Sequence, residues 1–519
     1  MFPEPGVTIT RPVLAERANG LGRELLATGT DPGDVVGILM PSAPSFPPAL
    51  LGILTTGAAA SVLPLPTTAR DPDAMADDLA AYIRAAGIRQ LVTAAPFTGL
   101  LAPLLDRCPE LRVLDADRCG TASRRPTSTT VRTHDPALVQ FTSGSTARPR
   151  GVVLSHGAVL NAALAPIRRC DFTPADVGYQ WLPLFHDFGM IGLIISLCAG
   201  FDIHLANPAT FIRDQERALR YFSENGVTVC TGPNFAYDRL LSTAECRDLS
   251  DVDLSRWRIA LTGGEQVAAT TVRRFTEILG RQGLPGAAMT PAYGMAEYCA
   301  GITIGAPDRA PRIVTVDRAS LVPGNRVRVC TDGWDLVAQG SPLDGTEIRV
   351  VGSGGSAVPT GCFGEIEVRG ASLMNGYLND PVATSKAVRD GWLRTGDEGF
   401  VLGGELYVAG RSKDMVIVRG RNVHAEDVEA MVRQVPGVYQ RHCVAVADKR
   451  REQLTVVVES TMPDRESVAE KVRQEIAERL GLAQVVVHVV DRSWLPRTTS
   501  GKWRRAEIRR RVETGELGA

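Results

Sequence analysis

Apolar positions near the start of the chain fall into short runs separated by turn residues. VVGILM (35–40) reads as a buried strand, FPPALLGILTTG (46–57) as a helix and AASVLPL (59–65) as a second strand, which together make a βαβ unit. A helical pattern over 74–86 followed by RQLVTAA (89–95) continues the alternation. Strands interleaved with helices predict an α/β domain built on parallel sheet, with ligands gathering at the carboxyl ends of the strands. Further on, ALVQF (137–141) runs as a strand into TSGSTARPRG (142–151) and out through a second strand, VVLS (152–155). HGAVLNAAL (156–164) then starts a helix for which Ser155 is the candidate N-cap.

Composition narrows the class. At 519 residues and 44% hydrophobic content, two or more domains are expected. A formal net charge of -1 gives no basic excess for nucleic acid. Residues 35–69 carry no charge, but prolines interrupt them and the apolar run at 49–63 is too short to span a bilayer, so no membrane span is expected. The opening MFPEPGVTITRPVLAERANG lacks the basic and apolar regions of a secretory signal. The 10 cysteines are scattered without metal-ligand spacing. Reduced thiols in a cytoplasmic protein are the expectation. Lysine is scarce, at 386, 413, 449, 471 and 502 only, among 57 basic residues.

The segment TSGSTARPRG has the texture of a phosphate-wrapping loop without the Gly-Lys-Ser/Thr ending of a P-loop. Its backbone N–H groups could form an anion nest, with Thr142, Ser143, Ser145 and Thr146 adding hydroxyls, or it could be a plain Ser/Gly-rich hairpin. Later motifs decide between these. In order they are YQWLPLFHDFGMIG (179–192), VTVCTGPNFAYDRLL (227–241), RIALTGGEQV (258–267), TPAYGMAEY (290–298), GWLRTGDEGFV (391–401), ELYVAGRSKDMVIVRGRNVHAEDVE (405–429) and WLPRTTSGKWRR (494–505).

This ordered set, spread from about residue 20 to 510, resembles the acyl-adenylate-forming superfamily, whose members couple a carboxylate to the AMP part of ATP. The resemblance implies a large adenylation domain over 1–412, with parallel-type sheets flanked by helices and a β-rich subdomain. A small mobile α+β domain over 413–519 would follow, hinged at Lys413. It also implies ATP and magnesium as cofactors. Thr142, Ser143, Gly144, Ser145 and Thr146 are expected on the β- and γ-phosphates, and Glu297 on magnesium. Tyr293, beside Gly294, would stack against adenine and the strand end Gly263, Gly264, Glu265 would border the nucleotide, while Asp397 would accept the ribose hydroxyls and Arg411 would contact ribose or phosphate. Lys502 would bridge the carboxylate and the α-phosphate. His186 joins Lys502 and Glu297 as a catalytic candidate, and with Phe188, Phe235 and Ala236 it should line the carboxylate end of an apolar substrate pocket.

Within the superfamily, WLPLFHDFGMIG, TGPNFAYD and VRGRNVHAEDVE look most like fatty acyl-AMP ligases, which pass the acyl group to an acyl carrier protein; an acyl-CoA synthetase or a ligase of an unusual acid is the alternative, and an inactive nucleotide-binding relative a third reading. The segment 308–340 resembles the insertion that sets those ligases apart and is thought to obstruct the CoA-ready arrangement. With nothing after Ala519 to supply a thiol, the carrier is expected to be a separate holo protein. Departures from the family pattern are Ala147 for glycine and Arg150 for lysine in the loop, Glu398 for an apolar residue, Ala425 for proline, and a short stretch before the first βαβ unit.

Overall fold

The computed structural model describes the chain apart from residues 4–5, 66–71, 95–96, 98–100, 119–128, 143–149, 412–414, 419–420, 440–441, 449–452, 481, 483–484, 497–502 and 517–519. The predicted βαβ unit forms as strand Val35–Leu39, helix Phe46–Thr55 and strand Ala59–Val62, joined by helix Pro72–Ala86 and strand Gln90–Thr93. These strands pair in parallel, and Arg112–Asp115 extends the sheet in the same sense. Its other flank is Pro136–Thr142 against the antiparallel Arg150–Ser155, then the short strand Gly376–Tyr377. The strands are apolar on both faces because helices cover both, as parallel sheets require.

A second seven-stranded sheet runs in the order 341–342, 303–304, 289–293, 259–262, 229–232, 177–180, 202–205. Its last five strands are mutually parallel, so their carboxyl ends share one edge. Helices His156–Cys170 and Asp187–Ala199 pack beside it, and Ser155 caps the first by accepting from Ala158 N at 3.2 Å.

A β-rich unit follows, in which Thr346–Val351, Gly364–Gly370, Trp392–Leu402 and Glu405–Arg411 pair antiparallel. The segment 308–340 folds as the hairpin Ile313–Val316 with Trp334–Val337. Val316, Leu336 and Ala338 pack with Phe363, Phe400 and Tyr407 of this sheet. Arg309 donates to Glu405 at 3.0 Å, and Gln339 N to Leu406 O at 2.7 Å, so the hairpin is bound to the strand that ends at Arg411.

From Met415 on, the chain forms the hairpin Met415–Val418 with Arg421–His424. The three-stranded sheet Cys443–Asp448, Gln453–Glu459, Val485–Val490 follows, with helices Ala425–Val432, Arg465–Leu480 and Arg505–Glu513. Its apolar clusters are made only of residues from 425 onward. The carboxy-terminal part therefore has a core of its own.

Candidate active site

Two neighbouring strands of the second sheet end at glycines. Ile259–Thr262 runs into Gly263 and Gly264, and Met289–Tyr293 runs into Gly294. Gly264 has φ +77, a conformation a side chain disfavours. A Cβ on Gly263 would lie 2.7 Å from Ala292 O, and one on Gly294 would run into the carbonyl of Ala300. Backbone therefore lies bare and close-packed at this edge, where open α/β sheets bind ligands.

Beside these glycines the side chains form an ordered polar chain. The Tyr293 hydroxyl donates to Asp397 Oδ2 at 2.7 Å, and Arg411 Nε donates to Asp397 Oδ1 at 3.1 Å. Cross-strand pairing of Asp397 with Arg411 sets that contact. Burial, followed by the Asp397 charge, holds the Tyr293 phenol well above its usual pKa, so it remains a donor. Each Asp397 oxygen takes one of these bonds and retains acceptor capacity for a ligand hydroxyl.

Glu297 lies on the single turn Ala296–Tyr298, and its Oε1 accepts from the Tyr377 hydroxyl at 2.9 Å. Tyr377, raised in pKa by burial and then by Glu297, lies 5.7 Å from the Arg150 guanidinium carbon. Arg150 is the cross-strand partner of Thr142, so the segment between them starts and ends at a fixed strand pair facing Glu297's neighbour. Ser143, Gly144, Ser145 and Thr146 lie outside the described residues, as do Lys413 and Lys502. Sequence reading missed Tyr377 because its strand has two residues and no periodicity to detect.

A cavity of ≈ 80 Å³ opens at this edge and runs between the two helices and the sheet. Gly263, Gly264, Tyr293 and Gly294 stand on it, with Ala162, Pro166, Ile191 and Ile195 on the helix side. Phe188 lines it, whereas His186, Phe235 and Ala236 are not among its lining residues. His186 caps the helix Asp187–Ala199, with its Nδ1 2.6 Å from Asp187 Oδ1 and 3.3 Å from Phe188 N. Phe235 is 37% exposed and its N–H donates to Glu265 Oε1 at 2.7 Å, which ties two strand-end turns together. Ala236 is buried in a separate cluster with Trp181 and Tyr237.

No cluster of three metal-ligating side chains exists among the described residues. Glu297 stands near the strand pair Thr142 and Arg150, with one oxygen occupied by Tyr377. That suits a magnesium ion carried in by substrate phosphates, which needs only one or two protein carboxylates, and does not suit a permanently held metal. The described residues contain no helix long and apolar enough to cross a membrane.

Comparison with known proteins agrees with this arrangement. The family model described as AMP-binding enzyme matches residues 2–378, and that described as AMP-binding enzyme C-terminal domain matches residues 420–510. The long-chain-fatty-acid–AMP ligase FadD26 of Mycobacterium marinum is 30% identical, covering 96% of this chain and 90% of its own. The medium-chain-fatty-acid–[acyl-carrier-protein] ligase TtuA of Teredinibacter turnerae is 31% identical over 73% of this chain and 63% of its own. A solved structure from work on fatty acyl-adenylate ligases of E. coli and L. pneumophila superposes with a TM-score of 0.89 at 26% identity, covering 98% of this chain and 94% of that one.

Proposed function

This chain belongs to the AMP-binding enzyme family and is an adenylate-forming ligase, and on that premise we propose that it activates a fatty acid as its acyl-AMP and hands the acyl group to a separate holo acyl carrier protein. The observation that carries the proposal is the meeting of an apolar cavity with the Tyr293, Asp397, Arg411 chain at one strand edge. The cavity takes the acyl tail and the polar chain takes the nucleotide.

In the first step a carboxylate oxygen attacks the α-phosphorus of ATP, the bond from that phosphorus to the bridging oxygen breaks, and pyrophosphate leaves. Tyr293 and the Gly263, Gly264, Glu265 turn border adenine. Asp397 accepts the ribose hydroxyls with Arg411 fixing its rotamer, since a carboxylate can accept from both at once. Thr142, Ser143, Gly144, Ser145 and Thr146 hold the β- and γ-phosphates through hydroxyl and backbone N–H donors. Glu297 is the carboxylate for magnesium, which when bound neutralises phosphate charge. Lys502 binds both the attacking carboxylate and the α-phosphate, aligning them.

In the second step the carrier's thiol attacks the acyl carbon, the acyl–oxygen bond breaks, AMP leaves and the thiol proton passes to solvent. Rotation of the carboxy-terminal part about Lys413 withdraws Lys502 and admits the carrier, a gating step of a familiar kind. The separate apolar cores on either side of residue 412 fit such a division. The 308–340 hairpin is bound to the strand just before the hinge. That placement favours restricted access for free CoA over a CoA-forming enzyme. The test is competition. Purified chain with ATP, magnesium and a fatty acid is expected to accumulate acyl-AMP in excess CoA and to discharge it when holo carrier protein is added. Prompt acyl-CoA formation would contradict the acceptor assignment.

A further inference from the structure

The cavity ends in a floor of buried aromatic rings. Its parallel strands carry the nucleotide-side residues at their carboxyl ends, and the cavity runs back to their amino ends, where Gly178, Ile203 and Val229 line it. There Phe172 and Phe201 meet with ring centroids 5.7 Å apart. Both rings and Cys170 are buried, so this end is closed by protein. A Cβ on Gly178 would lie 2.9 Å from the Phe201 ring, so the glycine lets that ring lie against the strand.

The floor is also held in place. Arg258, just ahead of strand Ile259–Thr262, donates through Nε and Nη2 to the two Asp176 oxygens at 2.9 and 2.8 Å. It donates as well to the carbonyls of Cys170 at 2.8 Å and Asp171 at 3.0 Å, closing the end of helix His156–Cys170. Its guanidinium carbon lies 5.5 Å from the centre of the Phe172 ring. A two-pronged ion pair of this kind fixes geometry better than a single contact. Asp176 also accepts from Thr228 at 2.7 Å, so the clamp reaches the next strand.

We propose that Phe172 and Phe201 are the chain-length stop of the acyl site and that the enzyme selects unbranched apolar acids of medium length. This rests on the reading of the cavity as the acyl-tail site. At about 10–15 Å³ for each small group, the whole ≈ 80 Å³ cavity, its nucleotide-edge end included, holds at most roughly five to eight methylene-sized groups. Longer tails meet the two rings, Phe172 held by Arg258 and Phe201 packed against Phe172.

The experiment is pyrophosphate exchange driven by a ladder of straight-chain acids from butanoate to hexadecanoate, run on the wild type, Phe201→Ala and the milder Phe201→Leu. The wild type is expected to peak near octanoate. Phe201→Leu should move the peak to a longer acid and Phe201→Ala further, with kcat/KM for dodecanoate rising roughly tenfold or more relative to that for octanoate as extra methylenes become buried. Identical profiles in all three proteins, or a wild type that uses hexadecanoate as well as octanoate, would overturn the chain-length stop while leaving the ligase reading intact. Exchange with no acid at all would sink the acyl-site reading and the stop together. Phe201→Leu keeps the test decisive if the alanine variant does not fold.

Discussion

Asp397 and Glu398 are consecutive residues of one strand and so face opposite ways. Asp397 is met by Tyr293 and Arg411, but Glu398 lies across from Glu365, and its buried Oε2 has no hydrogen-bond partner. Burial, then the Glu365 charge, raises its pKa above the ordinary 4.5. For an acid shifted upward, the folded state binds the proton more tightly than the unfolded state. The stabilisation is complete below the unfolded value and is lost as pH rises through the folded one. Glu398→Gln should therefore match wild type in thermal midpoint below about pH 4.5 and exceed it at pH 8. Parallel pH curves for the two proteins would contradict this. The motif reading flagged both residues, because each sits in a recognisable string. It did not find Tyr377 or Phe201, whose roles come from elements far away in the chain.

Elements show the same division between what sequence reveals and what it hides. The strands and helices at 35–93 were legible because each is long enough to show a period and is bounded by glycine or proline. Two-residue strands such as Thr303–Ile304 and Ser341–Pro342 carry no period, yet they complete the second sheet beside Tyr293. The turn after Met289–Tyr293 illustrates what the element demands of its sequence. A side chain on Gly294 would strike the Ala300 carbonyl, whereas one on Gly280, at the end of helix Ala269–Leu279, meets nothing within 4 Å. Gly294→Ala should lower stability by about 3 kcal/mol or more, while Gly280→Ala should stay within about 0.5 kcal/mol, both read by urea denaturation. Equal effects would show that the strand end tolerates what its packing forbids. Sequence reading expected an apolar substrate pocket lined by four named residues, and of these only Phe188 stands on the cavity. The helix bearing His186 turns that ring to cap its own first turn.

At the scale of the whole molecule, two largely parallel sheets, a β-rich unit and a separately cored carboxy-terminal part follow one another, and an apolar cavity opens at the strand edge that carries Tyr293. The fold class was legible because motifs keep their sequence order. The strand order of each sheet was not, since it depends on which strands cross over and leaves no local mark. Adenylation requires that a carboxylate oxygen become bonded to the α-phosphorus of ATP. The most direct measurement uses octanoate labelled with heavy oxygen in both carboxylate positions, together with ATP, magnesium and hydroxylamine to cleave the acyl adenylate. Mass spectrometry should find a single heavy oxygen in AMP and none in pyrophosphate. Unlabelled AMP, or label in any other phosphate product, would contradict the account.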